Sequence, residues 1–234
     1  MKKKLFFLFL LFFSIVRADV FLLGPGGNGG TPSPGNALNP LDLWSEPIII
    51  NGLDCKLKVS LIPTNLVDSF RLLRKFYPEG KFTYNNEAIL FEVKEGDLKR
   101  RLYLIRTDNP QYPLLQFSIE FKEIPKDFKW PSSLPSAPDM KPIHVMQFPQ
   151  RNSVYGCFES SFPAKTVLLS LHSSLIADGW QPLTGEAAKA HIGKAKGEFY
   201  MKSNPTEIIT ISTLDKENGS SEAIIYRKKI NEVR

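Results

Sequence analysis

From Lys56 to Leu61 polar and apolar residues alternate, which predicts a strand with one buried face. After Pro63 the period changes. Leu66, Phe70, Leu73 and Tyr77 recur at helical spacing between Thr64 and Tyr77, while Arg71, Arg74 and Lys75 fall off that stripe. The pattern predicts an amphipathic helix docked by one side and stopped at Pro78-Glu79-Gly80. Three strands are expected next, at Ala88 to Val93, Arg101 to Arg106 and Leu114 to Phe121, with turns at Glu95-Gly96-Asp97 and Asp108-Asn109-Pro110.

The second half runs in the same order. Val154 to Glu159 reads as a strand, and Pro163 follows where Pro63 stood. Proline suits that junction because the first-turn N–H has no helical partner. A helix to about Ala177 carries Val167, Leu168, Leu171 and Leu175 on its apolar side, and Asp178-Gly179 stops it. Strands are expected at Glu198 to Lys202, Glu207 to Leu214 and Glu222 to Lys228, with turns at Asn204-Pro205 and Glu217-Asn-Gly-Ser220. The pattern therefore implies an α+β fold: two tandem β-α-β-β-β units, each one helix packed on a small antiparallel sheet.

Two interruptions set the expected boundaries. Residues 24 to 40 are rich in glycine and proline and are expected to hold no regular element, and Pro125 to Pro142 reads as a stiff extended linker. The implied plan is an export signal over 1–18, a flexible leader over 19–46, a first unit over 47–124, the linker over 125–142 and a second unit over 143–234. The glycine-rich leader has no preceding strand and no Lys-Ser/Thr at a following helix, so it does not read as a phosphate loop.

The signal reading rests on Lys2, Lys3 and Lys4, the apolar run Leu5 to Val16, and Ala18. That run is shorter than the roughly 20 residues a spanning helix needs. It implies export to the periplasm or the exterior. Asp19, not cysteine, would begin the mature chain, so no stable membrane anchor is expected. Removing the signal changes the charge argument. The formal net charge of +6 includes four basic residues of the signal, Lys2, Lys3, Lys4 and Arg17, leaving 26 basic against 24 acidic residues, or +2. Nucleic acid is accordingly not an expected partner. Lys99-Arg100-Arg101 and Arg227-Lys228-Lys229 are expected to be solvated clusters. After export, Cys55 and Cys157 become candidates for one disulfide that joins the two first strands.

No chemistry is focused by spacing. His144, His172 and His191 share no metal-ligand spacing, so no metal and no cofactor are implied. Ser160, Ser161, Ser173 and Ser174 lack a Gly-x-Ser-x-Gly elbow. Glu87, Glu92, Glu198 and Glu207 do not single out an acid pair, and no catalytic residue is assigned. A Cys157/His172 centre is the alternative, as an exported hydrolase. Trp180, after the helix stop, reads first as core and secondly as a stacking platform; Trp44 and Trp130 could seal the ends of the first unit. Asn218-Gly219-Ser220 is a formal glycosylation acceptor and a good hairpin turn. Arg71, Arg74, Lys75 and Trp180 are the candidate surface-binding residues.

The stretch Phe162 to Trp180, a helix leaving through Ala177-Asp178-Gly179-Trp180 into short strands, resembles tandem helix-on-sheet (helix-grip-like) domains of uncharacterised exported bacterial proteins. The resemblance covers the second unit and more faintly the first, and it carries over no functional residue. The expected function is a non-enzymatic binding or scaffold protein of the bacterial envelope or exterior. It would hold a protein partner through sheet edges or the groove between repeats.

Overall fold

The computed structural model describes residues 37–123, 125, 127–183, 191–192, 195–203 and 206–230. The expected export signal, the glycine-rich stretch through Asn36 and the turn expected at Asn204-Pro205 lie outside them. In chain order the elements are β1 (Leu41–Ile50), β2 (Leu53–Ile62), α1 (Leu66–Phe76), β3 (Lys81–Tyr84), β4 (Ala88–Glu95), β5 (Leu98–Arg106), β6 (Leu114–Phe121) and β7 (Met140–Phe148). After a 3-10 turn at Pro149–Arg151 come β8 (Ser153–Ser160), α2 (Ala164–Ala177), β9 (Gln181–Pro182), β10 (His191–Ile192), β11 (Ala195–Ser203), β12 (Thr206–Asp215) and β13 (Ser221–Lys229).

Two tandem β-α-β-β-β units with separate small sheets are not what the chain forms. Its strands join one large antiparallel sheet in the order β10-β11-β12-β13-β8-β7-β1-β2-β6-β5-β4-β3, with β9 beside β11. The reason lies in β1 and β7, strands that begin inside the stretches read as leader and linker. Ile49 and Ile50 of β1 pair with Gln147 and Met146 of β7, so the sheet continues there instead of ending. Each helix is also preceded by two strands rather than one. By compactness the described residues form two units that interleave along the chain, one of 37–45, 58–91 and 102–117, the other of the remainder.

In the first unit α1 is fixed at both ends. The Asn65 side chain accepts the Asp68 N–H at 3.0 Å, and the Tyr77 N–H closes on the Leu73 carbonyl at 2.9 Å. Its inner stripe buries Leu73 completely and sets Phe70 against Phe82 and Tyr84 of β3, with ring centroids 5.1 and 4.9 Å apart. Phe82 in turn packs on Phe91 at 4.7 Å. Gly80 lies so close to the Phe91 ring that a Cβ there would collide with it.

In the second unit α2 covers one face of β8, β11, β12 and β13. Val167, Leu171 and Leu175 are buried against Phe158, Tyr200 and Ile209. Each such aliphatic side chain contributes about 1.5–3 kcal/mol. Gly179, at φ +80°, turns the chain out of α2, and the Trp180 N–H returns to the Leu175 carbonyl at 2.9 Å. The proline-rich stretch is a packing segment as well as a connection. Trp130 meets Phe158 edge-on at 5.7 Å, and Leu134 is buried in the same cluster. A two-residue Asn51-Gly52 turn joins β1 to β2, with both residues at positive φ. Asn51 fastens this turn to β7: its N–H donates to the Val145 carbonyl at 2.9 Å, and its Oδ1 accepts the Val145 N–H at 2.8 Å.

Candidate functional site

Side chains alternate across a strand, so Phe158, which faces α2, places Cys157 on the opposite face of β8. There Cys157 stands directly across from His144 on β7 and Ile224 on β13. His144 reaches that position through a bulge between Pro142 and His144. Its ring meets Tyr155 edge-on at 6.4 Å. Cys157 Sγ donates to Glu222 Oε1 at 3.5 Å, and Lys216 Nζ pairs with Glu159 and, at 3.6 Å, with Glu222. Imidazole, thiol, phenol and carboxylates therefore share one seam, built from β7, β8 and β13.

The electrostatics of that seam hold its thiol, phenol and imidazole neutral. Burial first, then the Glu222 carboxylate, push the Cys157 thiol far above its ordinary value. Burial, then Cys157 and Glu222, push the Tyr155 phenol up as well. Burial and the Arg101 guanidinium press His144 down to about 4. A nucleophilic cysteine needs a thiolate, favoured by an adjacent cation and some exposure. Cys157 is 6% exposed and has a carboxylate for its nearest partner. The seam is thus a dry hydrogen-bonded contact, unsuited to nucleophilic attack at neutral pH.

His172 is not brought to Cys157. It lies on α2, with Nδ1 2.8 Å from the Tyr200 hydroxyl on β11. Tyr200 donates its own proton to Glu198, so the His172 N–H is the donor to the phenol oxygen. Glu198 and Tyr200 share a face of β11 because they are two residues apart. That period-2 signal was available in the sequence, but its convergence with His172 depends on where α2 lands. Among the described residues no group of three or more histidine, cysteine or acidic side chains could hold a metal ion.

The expected disulfide is absent, since Cys55 and Cys157 are both buried free thiols. Two strands, β1 and β7, stand between β2 and β8 in the sheet order. Three interstrand spacings amount to about 14 Å, whereas a bridge requires Cα atoms within about 7 Å. Cys55 Sγ instead donates to the Leu53 carbonyl at 3.4 Å, and burial raises its pKa. The expected measurement is an intact mass showing two free thiols without reductant, with alkylation of both slow in the native protein and fast in denaturant. A mass lower by two hydrogens would contradict it.

Trp180 is not a surface platform. It is 5% exposed, packed in the α2 core with the Arg227 guanidinium 5.6 Å above its ring. Arg227 also pairs with the buried Glu207 at 2.5 Å and donates to the Ser133 carbonyl. The other expected solvated cluster is likewise engaged: Arg100 pairs with Glu120 at 2.5 Å and Glu95 at 3.4 Å, and Arg101 with Glu92.

Arg71, Arg74 and Lys75 are exposed on α1, as helical spacing implied. Arg71 reaches Asp68 at 3.2 Å, and Arg74 lies over the Phe70 ring at 5.6 Å. Because Phe70 touches Tyr84, this basic face adjoins β3, the last strand on its side of the sheet order among the described residues. Three of the four β3 residues are exposed, Tyr84 by 64%. Val67 and Phe76 are exposed apolar residues of the same helix. Among the described residues no helix is long and apolar enough to cross a membrane. No family model matches the chain, and neither a curated protein nor a solved structure matches it.

Proposed function

We propose that the protein is a non-enzymatic binding protein of the envelope or exterior, and that it captures an acidic, extended segment of a partner protein along β3. The observation that carries this reading is the terminal strand β3, exposed beside a helix face bearing Arg71, Arg74 and Lys75. A terminal strand offers unpaired backbone groups to an added strand. The cations beside it favour acidic side chains and speed encounter. Tyr84 and Phe76 supply apolar contact at low ordering cost. The His144, Cys157 and Tyr155 groups are gathered on one seam but held neutral by burial, and His172 lies apart from Cys157, which supports binding over hydrolysis. Placement in the envelope rests on the N-terminal charge and apolar pattern alone.

A labelled peptide of alternating glutamate and valine tests the reading. Binding should be measurable at low salt and should weaken as salt rises. The amides of residues 81–84 should gain protection from hydrogen exchange in the complex. Reversing Arg71, Arg74 and Lys75 to glutamate together should weaken binding by about tenfold or more, since each exposed charge contributes up to about 1 kcal/mol. Binding that survives the triple reversal, or that leaves the β3 amides unprotected, would overturn the assignment.

A further inference from the structure

Two Asn-Gly pairs fall among the described residues, and their surroundings are opposite. Asn51 is buried; its Oδ1 accepts the Val145 N–H at 2.8 Å and its Nδ2 donates to the Pro125 carbonyl at 3.3 Å. Asn218 is exposed in the turn between β12 and β13, followed by an exposed Gly219 at φ +79°. Nothing lies within 4 Å of the place a Gly219 Cβ would take. Two donors converge on the Asn218 side-chain carbonyl: the Ser220 hydroxyl at 2.6 Å and the Ser220 N–H at 3.3 Å. The turn is closed by the Lys216 N–H on the Ser220 carbonyl at 2.8 Å and by the Gly219 N–H on the Lys216 carbonyl at 3.1 Å, and the second of these must open to free the Gly219 nitrogen.

We propose that Asn218 is a site of spontaneous self-modification, in which the Gly219 backbone nitrogen attacks the Asn218 side-chain carbonyl and the Ser220 donors stabilise the charge that develops on Oδ1. A bond forms between Cγ and the Gly219 nitrogen, and the bond from Cγ to Nδ2 breaks. The Gly219 nitrogen gives up its proton, which leaves with the amide nitrogen as ammonia. Water then adds across one of the two carbonyl–nitrogen bonds of the resulting succinimide. Opening at one carbonyl gives aspartate, and at the other isoaspartate. Glycine permits the attack because no side chain shields its nitrogen. Paired donors aimed at a developing oxyanion lower the barrier even outside an active site, though less than in a dry one. The product places a new carboxylate two residues from Lys216, which already serves Glu159 and Glu222.

The test is incubation of the folded full chain at neutral pH, followed by peptide mapping for amide-to-acid conversion and for isoaspartate. Asn218 should convert at least about tenfold faster than Asn51, because Asn51 reacts only after its turn has opened locally. In denaturant the two rates should converge. Ser220→Ala keeps the Asn-Gly pair and one donor, and should slow conversion at Asn218 by about threefold to tenfold. Equal native rates at the two asparagines, a difference that persists in denaturant, or a Ser220→Ala rate matching the parent would each overturn the proposal.

Discussion

Gly156→Val is expected to destabilise the second unit by about 3 kcal/mol or more, and Gly156→Ala by about 1–3 kcal/mol, through overpacking. Gly156 sits in mid-strand on β8, between Val145 of β7 and Ile225 of β13. Glycine in such a position ordinarily weakens a strand and marks a close approach. Here the approach is made by Trp130, whose ring lies where a Cβ would go, with Leu134 Cδ1 at 2.7 Å from the same point. Trp130 cannot withdraw cheaply. Its indole N–H donates to the Pro135 carbonyl at 3.2 Å and its ring is set edge-on to Phe158. Urea unfolding of Gly156→Val, Trp130→Ala and the double variant checks the cause. Trp130→Ala should itself be costly, by about 3–5 kcal/mol. The double variant should be clearly more stable than the sum of the two, because the valine then fills part of the vacated space. Strict additivity would show that the ring is not what excludes a side chain from this position.

That packing shows what the sequence could and could not convey. Amphipathic spacing located α1 and α2, alternation located β2, and the strands expected between turn signals match β4 to β6, β8 and β11 to β13 within a few residues of their observed ends. Local physics sets these features: helical period, the Asn65 cap, the Gly179 stop. β1 and β7 were hidden because Pro47 and Pro142 lie within them, and proline normally argues against a paired strand. Asn51-Gly52 was a strong hairpin signal that would have exposed β1, since only residues tolerant of positive φ fit both turn positions. The sheet order was not legible, because the pairing of β1 with β7 joins residues nearly one hundred positions apart with no local mark. The same gap misled the disulfide expectation, which placed both cysteines on first strands without the two strands that stand between them. At the candidate site, the exposure of Arg71, Arg74 and Lys75 followed from period alone. Their neighbour β3 did not, because four residues are too few to show an alternation. The seam around Cys157 needed the bulge at Ile143 to bring His144 opposite, and nothing in residues 140–148 announces a bulge.

Acid should weaken the fold through His144. The imidazole is held neutral, its pKa pressed from 6.5 to about 4 by burial and then by Arg101. In the unfolded chain it takes a proton near pH 6.5, whereas the native protein refuses one until about pH 4. Between those values the unfolded state binds more protons, so stability present above pH 6.5 is lost progressively as pH falls toward 4. The whole window corresponds to about 3 kcal/mol, at 1.36 kcal/mol per pKa unit. Burial is the larger cause, which singles out the seam as the origin: the ring meets Tyr155 and His144 stands across from Cys157, neither of which ionises to meet it. Unfolding free energies from urea curves at neutral pH and near pH 4.5 should differ less in His144→Phe than in the parent, by about 2–3 kcal/mol. The carboxylates, common to both proteins, cancel in that comparison. Titration of the imidazole resonances in the native protein should leave the His144 ring unprotonated below pH 5, and His144→Phe should remove that signal. A native His144 that titrates near 6.5 would mean that water reaches the ring. Burial and neutral partners would then no longer describe the face of β8 that carries Cys157.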